Sequence, residues 1–264
     1  MNKSCLPVAV FDSGLGGISV LKELVKLLPN ENFIYYGDTA NAPYGVKSAD
    51  EVKQLTFSVY ERLRIEGVKA FVIACNTATS VAAAELREKY PDDIIIGVEP
   101  ALKPAASCKE HPTVAVLATP LTLKEAKFAR LLERFGESAR VIPFACAGLV
   151  EFVERGETSG EGLDAFLGEL FAPLMNEKLD AVVLGCTHYP LVKSAISKAL
   201  GDGVLLFDGS EGTARETKRR LENAGLLNNA CEKGSVIFID SSHPNKEDAG
   251  KSLLAKFGGE YICS

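Results

Sequence analysis

The sequence predicts an α/β protein made of two similar parallel-sheet domains. Short apolar runs alternate with amphipathic segments along the 264 residues, and this alternation is typical of parallel strands joined by right-handed helical crossovers. The pattern then starts again, because the apolar run Val114–Leu117 repeats Val8–Phe11 after a shift of 106 residues. An internal repeat of about 108 residues is far longer than the repeat of a solenoid, so it indicates two like domains.

The first half of the chain contains four predicted strands, Val8–Phe11, Phe33–Tyr36, Ala70–Ala74 and Ile94–Val98. A Gly-rich turn follows the first strand and leads into a predicted helix, whose apolar face carries Ile18, Leu21, Val25 and Leu28. Ser48 and Glu51 form a capping box, which predicts the start of a second helix. The apolar face of this helix carries Val52, Leu55, Val59 and Leu63.

The second half repeats this plan with the predicted strands Val114–Leu117, Val141–Phe144, Ala181–Gly185 and Val204–Phe207. Thr122 and Glu125 form another capping box, which predicts that a helix starts there. Cys75 and Cys186 are 111 residues apart, close to the shift of the other elements, and each follows a predicted strand. The repeat therefore includes the two cysteines.

The residues after Asp208 have no counterpart in the repeat. They contain a predicted helix near Thr213–Asn223, a strand at Val236–Asp240 and a further helix after Pro244. The pattern alone does not determine which domain these elements pack against.

Charge and hydropathy exclude several classes of protein. Lys and Arg total 29 against 35 Asp and Glu, a net charge of −6, which disfavours broad electrostatic binding to nucleic acid or to an anionic membrane. No apolar run approaches the roughly 18–20 residues that span a bilayer. Asp12 interrupts the N-terminal apolar run Leu6–Phe11, so this run does not resemble a signal peptide. We therefore expect a cytoplasmic enzyme that acts on a small molecule.

The cysteines predict neither a disulfide framework nor a structural metal site. The seven cysteines, at positions 5, 75, 108, 146, 186, 231 and 263, are odd in number and include no C-x-x-C pair. The three histidines, at positions 111, 188 and 243, form no metal-ligand spacing. No lysine lies in a signature typical of a pyridoxal enzyme, so we expect neither a metal nor an organic cofactor.

Polar or reactive residues follow five predicted strands: Asp12-Ser13-Gly14, Gly37-Asp38, Cys75-Asn76-Thr77, Thr119 and Cys186-Thr187-His188. Ligands of parallel α/β sheets bind outside the carboxyl ends of the strands, so we expect these residues to form one site. Because the repeat supplies one cysteine from each domain, Cys75 and Cys186 would flank a cleft from opposite sides.

Two facing thiols are suited to two-base proton transfer at a carbon atom. One thiolate removes a proton and the opposite thiol returns one to the other face, which inverts a stereocentre without a redox step. A free thiol has a pKa of about 8.5, so a modest shift makes one thiol a base at neutral pH. His188 would help to set the protonation of Cys186. Asn76, Thr77 and Thr187, at predicted helix starts, would stabilise the enolate-like charge.

The same features have plainer interpretations. A single cysteine at a strand end usually belongs to the core, and we keep that interpretation for the cysteines that do not end a predicted strand facing the cleft, namely Cys5, Cys108, Cys146, Cys231 and Cys263. The first turn also suggests a nucleotide site, since Gly14 and Gly16 fit the dinucleotide fingerprint and Asp38 follows at about the right distance. Position 19, however, is Ser where that fingerprint needs Gly.

Over nearly its whole length the sequence resembles the cofactor-independent aspartate/glutamate racemase family. The matching motifs are FDSGLGG (11–17), YYGDTANAPYG (35–45), ACNTAT (74–79), LATP (117–120) and LGCTHYPL (184–191). The resemblance implies two α/β domains related by pseudo-two-fold symmetry, with the active site in the cleft between them. It also implies that the tail returns to the first domain, which gives a first domain of residues 1–98 plus 209–264 and a second domain of residues 99–208.

The resemblance implies roles for single residues as well. The catalytic positions of the family match Cys75, Cys186, Asp12, His188 and an acidic residue in LVEFVERG, where Glu154 aligns better than Glu151. Its substrate contacts match Asp12, Ser13, Tyr44, Gly45, Asn76, Thr77, Thr187 and His188. Where the family usually has Gly-Thr this chain has Ala118-Thr119, so the hydroxyl of Thr119 is kept as a substrate contact.

The implied activity is the interconversion of L-glutamate and D-glutamate without a cofactor, which supplies D-glutamate for peptidoglycan in a bacterial cytoplasm. Racemisation of aspartate or another amino acid is an alternative, although Thr-His after the second cysteine and the Asp-Ser-Gly-x-Gly-Gly turn are more typical of the glutamate branch. A non-catalytic metabolite- or nucleotide-binding module is an alternative from another class. We expect no nucleic-acid or membrane partner, and a homodimer is an assembly that the sequence leaves open.

Overall fold

The computed structural model describes residues 3–242 and 262–263, and its described strands form two parallel sheets. The strands are β1 (Val8–Asp12), β2 (Phe33–Gly37), β3 (Ala70–Ile73), β4 (Ile95–Gly97), β5 (Thr113–Ala118), β6 (Arg140–Ala145), β7 (Ala181–Leu184), β8 (Leu205–Asp208), β9 (Ser235–Asp240) and β10 (Ile262–Cys263). The first sheet has the order β10-β9-β2-β1-β3-β4 and the second β6-β5-β7-β8. The second sheet thus repeats the order β2-β1-β3-β4, and the predicted fold class of two similar parallel-sheet α/β domains is confirmed.

Helices cover both faces of the sheets. The described α-helices are α1 (Ile18–Leu27), α2 (Ala49–Glu66), α3 (Asn76–Lys89), α4 (Leu102–Ala106), α5 (Pro120–Lys124), α6 (Ala126–Phe135), α7 (Leu149–Glu154), α8 (Glu161–Phe171), α9 (Lys193–Leu200) and α10 (Ser210–Asn223). The predicted helices after the first turn, after Ser48 and near Thr213 are confirmed as α1, α2 and α10. Within the part of the chain that the structure describes, no helix is both long and apolar enough to cross a bilayer.

Strand β1 separates two apolar layers, because successive side chains of a strand point to opposite faces. Val8 and Val10 pack with residues of α1 and α10, whereas Ala9 and Phe11 pack with residues of α2 and α3. All four side chains are fully buried. A strand without a polar face is what a parallel sheet covered on both sides requires.

Strand β5 has the same position in the second sheet. Val114 and Val116 pack with residues of α4 and α6, and Ala115 and Leu117 pack with residues of α7, α8 and α9. Strands β1 and β5 therefore lie between equivalent layers of helices. Their carboxyl ends occupy equivalent positions in the two domains.

The described part of the tail joins the first sheet. Strand β9 pairs in parallel with β2, from Phe33 opposite Val236 to Gly37 opposite Asp240, and α10 packs against α1. The exact domain limits stay a prediction. The helix predicted after Pro244 lies outside the described residues.

The two predicted capping boxes have different outcomes. The Oγ of Ser48 accepts a hydrogen bond from the backbone N–H of Glu51 at 3.2 Å and caps α2 as predicted. The helix start predicted at Thr122 is wrong, because α5 starts at Pro120 and its N-cap is Thr119. Proline suits the first helical position, since its φ is already helical and it has no N–H that needs a partner. The Oγ1 of Thr119 accepts the N–H of Thr122 at 3.3 Å instead.

Candidate active site

A cavity of about 30 Å³ brings together residues from the carboxyl ends of both sheets. Ten residues predicted from the sequence line it: Ser13, Tyr44, Gly45, Cys75, Asn76, Thr77, Thr119, Cys186, Thr187 and His188. The other two predicted residues, Asp12 and Glu154, lie behind the lining and hydrogen-bond to Thr187 and His188. The structure thus places the predicted residues in one cleft, between the two sheets.

Cys75 follows β3 and is the N-cap of α3. Its Sγ accepts a hydrogen bond from the backbone N–H of Ala78 at 3.4 Å, and its thiol donates to the Oγ of Ser13 at 3.6 Å. Burial, followed by the negative charge of Asp12, raises the pKa of the Cys75 thiol to about 12. In these surroundings Cys75 is a neutral thiol at physiological pH.

Cys186 has different surroundings, because a histidine and a carboxylate lie in line behind it. The Sγ of Cys186 is 3.7 Å from Nδ1 of His188, and Nε2 of the same ring is 2.5 Å from Oε1 of Glu154. Burial lowers the pKa of His188, but the hydrogen bonds to Cys186 and Glu154 outweigh it and raise the pKa well above its usual value. A protonated ring donates from both nitrogens, so it can donate a hydrogen bond to the sulfur of Cys186 as well as to Glu154.

Glu154 connects the two sheets. Its Oε1 also accepts the backbone N–H of Leu15 at 2.9 Å, in the turn that follows β1. Gly14 leaves room for this approach, because a Cβ at that position would collide with the Glu154 carboxylate. Glu151, the alternative from the sequence, lines the cavity instead. The geometry therefore assigns the contact with His188 to Glu154.

Asp12 makes a second connection between the sheets. It ends β1 and is fully buried. Its Oδ1 accepts a hydrogen bond from the hydroxyl of Thr187, in the second half of the site, and its Oδ2 accepts the N–H of Gly14, both at 3.1 Å. Burial raises the pKa of Asp12, and the charge of His188 opposes this rise. Asp12 therefore holds Thr187 in place beside the cavity.

Asp38 holds Tyr44 through a hydrogen bond. The Tyr44 hydroxyl donates to Oδ2 of Asp38 at 2.6 Å, and Asn41 donates from Nδ2 to both carboxylate oxygens at 3.1 Å. Burial and the hydrogen bond to Asp38 raise the pKa of Tyr44, so the phenol stays protonated. The carboxylate that favoured the nucleotide alternative is therefore used within the chain.

Three threonines form a buried hydroxyl cluster across the cleft. Oγ1 of Thr77, at the start of α3, lies 3.0 Å from Oγ1 of Thr119 and 3.2 Å from that of Thr122. Oγ1 of Thr119 and Oγ1 of Thr122 are 2.9 Å apart. Thr77 and the other two belong to different sheets, so the cluster forms only when the two halves are in contact.

The prediction that Cys146 lies away from the cleft is wrong. Cys146 lines the same cavity as Cys75 and Cys186. Strand β6 extends to Ala145, one residue beyond the predicted end, so Cys146 stands at the carboxyl end of the strand. Strand β6 is the counterpart of β2, whose end carries Asp38, and this equivalence was the sequence signal that could have identified Cys146. Burial and the nearby Cys186 raise the pKa of the Cys146 thiol.

The segment that follows Cys186 also differs from the prediction. Asn76 and Thr77 begin the long helix α3 as predicted, but Thr187 precedes only a short 3-10 turn, Tyr189–Val192, which leads into α9. Thr187 therefore contributes its hydroxyl, bonded to Asp12, rather than the N-terminus of an α-helix.

The arrangement is suited to proton transfer on two sides of a small ligand. A neutral thiol and a thiol beside an imidazolium share one cavity, one from each sheet. Across residues 3–242 and 262–263, no group of three or more His, Cys, Asp or Glu side chains could hold a metal ion.

Comparisons with known proteins agree with this geometry. The family model described as Asp/Glu/Hydantoin racemase matches residues 12–217. The chain is 48% identical over 246 residues to a glutamate racemase from Clostridium botulinum. The aligned residues cover 93% of this chain and 95% of the relative.

Solved structures of similar proteins have the same fold. The crystal structure of glutamate racemase from Francisella tularensis in complex with D-glutamate is 29% identical, with a TM-score of 0.84, and covers 99% of this chain and 98% of that one. A glutamate racemase structure from Bacillus anthracis is also 29% identical, with a TM-score of 0.86, and covers 98% of this chain and 96% of that one.

Proposed function

This chain belongs to the Asp/Glu/hydantoin racemase family and is an amino-acid racemase, and on that basis we propose that it interconverts L-glutamate and D-glutamate through Cys75 and Cys186. The observation that carries the proposal is that one thiol from each sheet lines the same cavity. Glutamate as the substrate is supported by the relatives, which are glutamate racemases, one of them bound to D-glutamate.

The reaction moves one proton off Cα and another onto its opposite face. One cysteine, as thiolate, removes the Cα proton and becomes a thiol, while the other, as thiol, gives its proton to the other face and becomes a thiolate. Exchange of a proton between the two thiols and solvent restores the starting state. His188, held by Glu154, supports the thiolate of Cys186. The substrate ammonium group brings the positive charge that the buried Cys75 thiolate lacks.

The enolate-like charge that develops on the substrate carboxylate needs hydrogen-bond donors that are already in place. The first N–H groups of a helix have no partner within it, and α3 begins at Asn76 next to Cys75. Thr77 and Thr119 also line the cavity, one from each sheet. These groups are the proposed donors to the substrate.

The described conformation is closed around the site. A cavity of about 30 Å³ has room for about one or two water molecules, which is much less than an amino acid of five carbons needs. We infer that the two halves move apart to admit glutamate.

The biological role that follows is the supply of D-glutamate for peptidoglycan in a bacterial cytoplasm. The clostridial relative is a bacterial glutamate racemase, and this supports the role. Assembly into a homodimer stays a prediction.

The direct test is circular dichroism of L-glutamate and, separately, D-glutamate incubated with the purified protein after dialysis against a chelator and without pyridoxal phosphate. We expect both signals to decay to zero, and L-aspartate to change far more slowly. Faster decay of aspartate would assign the chain to another substrate, and no decay with any acidic amino acid would reject the racemase proposal. Activity that returns only with a metal or pyridoxal phosphate would contradict the cofactor-independent mechanism.

The two-base mechanism has its own test in deuterated water. Each enantiomer should acquire deuterium at Cα as it inverts, because the thiol that returns the proton exchanges with solvent. Inversion with complete retention of the original proton would indicate a single base and would reject the two-thiol mechanism.

A further inference from the structure

The tail adds to the first sheet an element that the internal repeat does not contain. Strand β9 pairs with β2 and ends at Asp240, opposite Gly37, and the N–H of Ser241 donates to the carbonyl of Gly37 at 3.0 Å. Strand β6 is the counterpart of β2, and among the strands that the structure describes it is the edge of its sheet. The carboxyl end of β2 therefore has a neighbour that the equivalent end of β6 lacks. We call this neighbour, residues 240–242, the tail segment.

The tail segment holds the loop that follows β2. The hydroxyl of Thr39 donates to Oδ1 of Asp240 and lies 2.7 Å from Oγ of Ser242. The hydroxyl and the N–H of Ser242 donate to the same carboxylate oxygen, each at 2.8 Å, and the N–H of Ala40 donates to Oγ of Ser241 at 2.9 Å. Hydrogen bonds to a charged acceptor are about twice as strong as neutral ones, so Asp240 is the centre of this attachment.

The held loop reaches the cysteine site within a few residues. Asp38, which precedes Thr39, accepts the hydroxyl of Tyr44 at 2.6 Å, and Asn41 donates to the same carboxylate. Tyr44 and Gly45 line the cavity that contains the two thiols, and we call these two residues the substrate wall. The backbone at Thr39 therefore determines where Asp38 holds the substrate wall.

We propose that Thr39 and Asp240 are positioning residues of the substrate wall, and that the tail segment fixes this wall for the reaction. The inference rests on the proposed function, because the wall acts in racemisation only if glutamate occupies the cavity. Neither residue lines the cavity, so both act through Asp38 and Tyr44 rather than on the reacting atoms. A wall that is already ordered binds substrate without the entropic cost of ordering it.

The kinetic test is the variant Thr39→Val, which keeps the shape of the side chain but removes the hydroxyl. The substrate wall contains neither thiol, so its loosening should weaken binding more than proton transfer. We expect KM to rise about tenfold for both enantiomers, the factor that a hydrogen bond to a charged acceptor typically contributes, and kcat to stay within about threefold. Thr39→Ser restores the hydroxyl and should return KM to near the wild-type value. A merely structural role would lower the apparent kcat and leave KM unchanged, which would overturn the proposal.

The matched control is Thr56→Val, because the Thr56 hydroxyl donates to the carbonyl of Val52 within α2 and Thr56 does not line the cavity. Its KM should equal that of the wild type, and a rise equal to that of Thr39→Val would overturn the proposal. Combining Thr39→Val with Asp240→Asn tests the link to the tail segment. Residues that act through one contact are not additive, so the second change should raise KM little further. Fully additive effects would show that Thr39 acts independently of Asp240.

Amide hydrogen exchange measures the loop without any substrate. The N–H groups of Ala40, Asn41 and Ala42 are all hydrogen-bonded, the first of them to the tail segment. Asp240→Asn should speed their exchange at least about tenfold, because the loop then opens more often. Asp93→Asn is the control, since it neutralises a carboxylate that also accepts a hydroxyl but does not line the cavity.

Unchanged exchange in Asp240→Asn, or equal acceleration in the control, would overturn the positioning role of the tail segment. A wild type that does not racemise glutamate would refute the proposed function alone, since the exchange experiment measures the attachment of the loop independently of the reaction.

Discussion

Cys75 and Cys186 occupy one cavity but have opposite electrostatic surroundings. Burial and then the charge of nearby Asp12 raise the pKa of Cys75, whereas Cys186 lies beside the ring of His188. This asymmetry distinguishes the two thiols before the substrate enters.

Replacing either cysteine by serine tests the assignment of roles. Cys75→Ser and Cys186→Ser should each lower the racemisation rate by at least about 10²–10⁴-fold, because a serine hydroxyl is too weak an acid to replace the lost proton-transfer group. The fold should survive, with a loss in the free energy of unfolding of about 1–3 kcal/mol where the hydroxyl finds no partner. Turnover by circular dichroism and urea unfolding measure the two effects.

Cys108→Ser is the matched control, since Cys108 is a half-buried free cysteine outside the cavity. Its turnover should stay within a few-fold of the wild type. A folded Cys186→Ser protein that racemises at close to the normal rate would show that the second sheet supplies no essential base.

Glu154 should give the protein a pH-dependent stability through His188. A histidine whose pKa is raised in the folded state adds stability that is complete below its unfolded pKa of about 6.5. That stability is lost as the pH rises through the higher folded pKa. Glu154→Gln removes the negative charge behind one of the two hydrogen bonds that raise it. We therefore expect the variant to lose about 1.5–3 kcal/mol near pH 6, and the difference from the wild type to shrink towards pH 10.

Glu151→Gln provides the control, because Glu151 lies three positions earlier on α7 and lines the cavity without being the partner of His188. Urea unfolding between pH 6 and pH 10 should show a difference from the wild type that is constant with pH. If Glu151→Gln showed the pH-dependent loss and Glu154→Gln did not, the assignment of the acidic residue would be reversed.

At the scale of elements, the start of α5 is held by a hydroxyl that also joins the cleft. Thr119 caps α5 and lies within 3.0 Å of Thr77 across the site. Thr119→Val keeps the shape of the side chain but removes the cap, so the free energy of unfolding should fall by about 1–2 kcal/mol.

The matched change is Thr217→Val. Thr217 is also buried, but its hydroxyl donates to the carbonyl of Thr213 within α10, so its loss removes no cap. This variant should lose less than half as much stability in the same urea titration. Equal losses would mean that the Thr119 cap adds nothing beyond ordinary burial.

At the scale of the whole molecule, closure depends on a close approach at Gly45. A Cβ at this position would lie 2.8 Å from both Cβ and Cγ2 of Thr119, in the other half of the cleft. Gly45→Ala should therefore oppose closure, and overpacking of this kind costs about 1–3 kcal/mol. We expect kcat/KM to fall about tenfold or more for both enantiomers, with little change in thermal stability.

Gly168→Ala is the control, because a Cβ at Gly168 in α8 would meet no other group. It should leave kcat/KM unchanged and stabilise the protein by about 0.5–1 kcal/mol. Normal kcat/KM in Gly45→Ala would show that the close approach of Gly45 to Thr119 is not required for catalysis.

The strand–helix alternation made the fold predictable, since it depends on local periodicity. The nine strands predicted from apolar runs are all present, with ends that differ by a residue or two. The capping box predicted at Thr122 failed because the helix is capped three residues earlier, by Thr119. The residue pattern at Thr122 and Glu125 does not show that a helix has already begun at Pro120.

The sequence by itself determined the two parallel sheets and the polar residues that end their strands, because both follow from residues close together in the chain. Only the tertiary structure decided which of those residues touch. Glu154 reaches Leu15 across 139 residues of sequence, Asp38 binds Tyr44 rather than a ligand, and Cys146 enters the cavity through the packing of β6. Such contacts depend on how the two halves pack against each other. That packing is set by whole sheets and helices rather than by any local pattern.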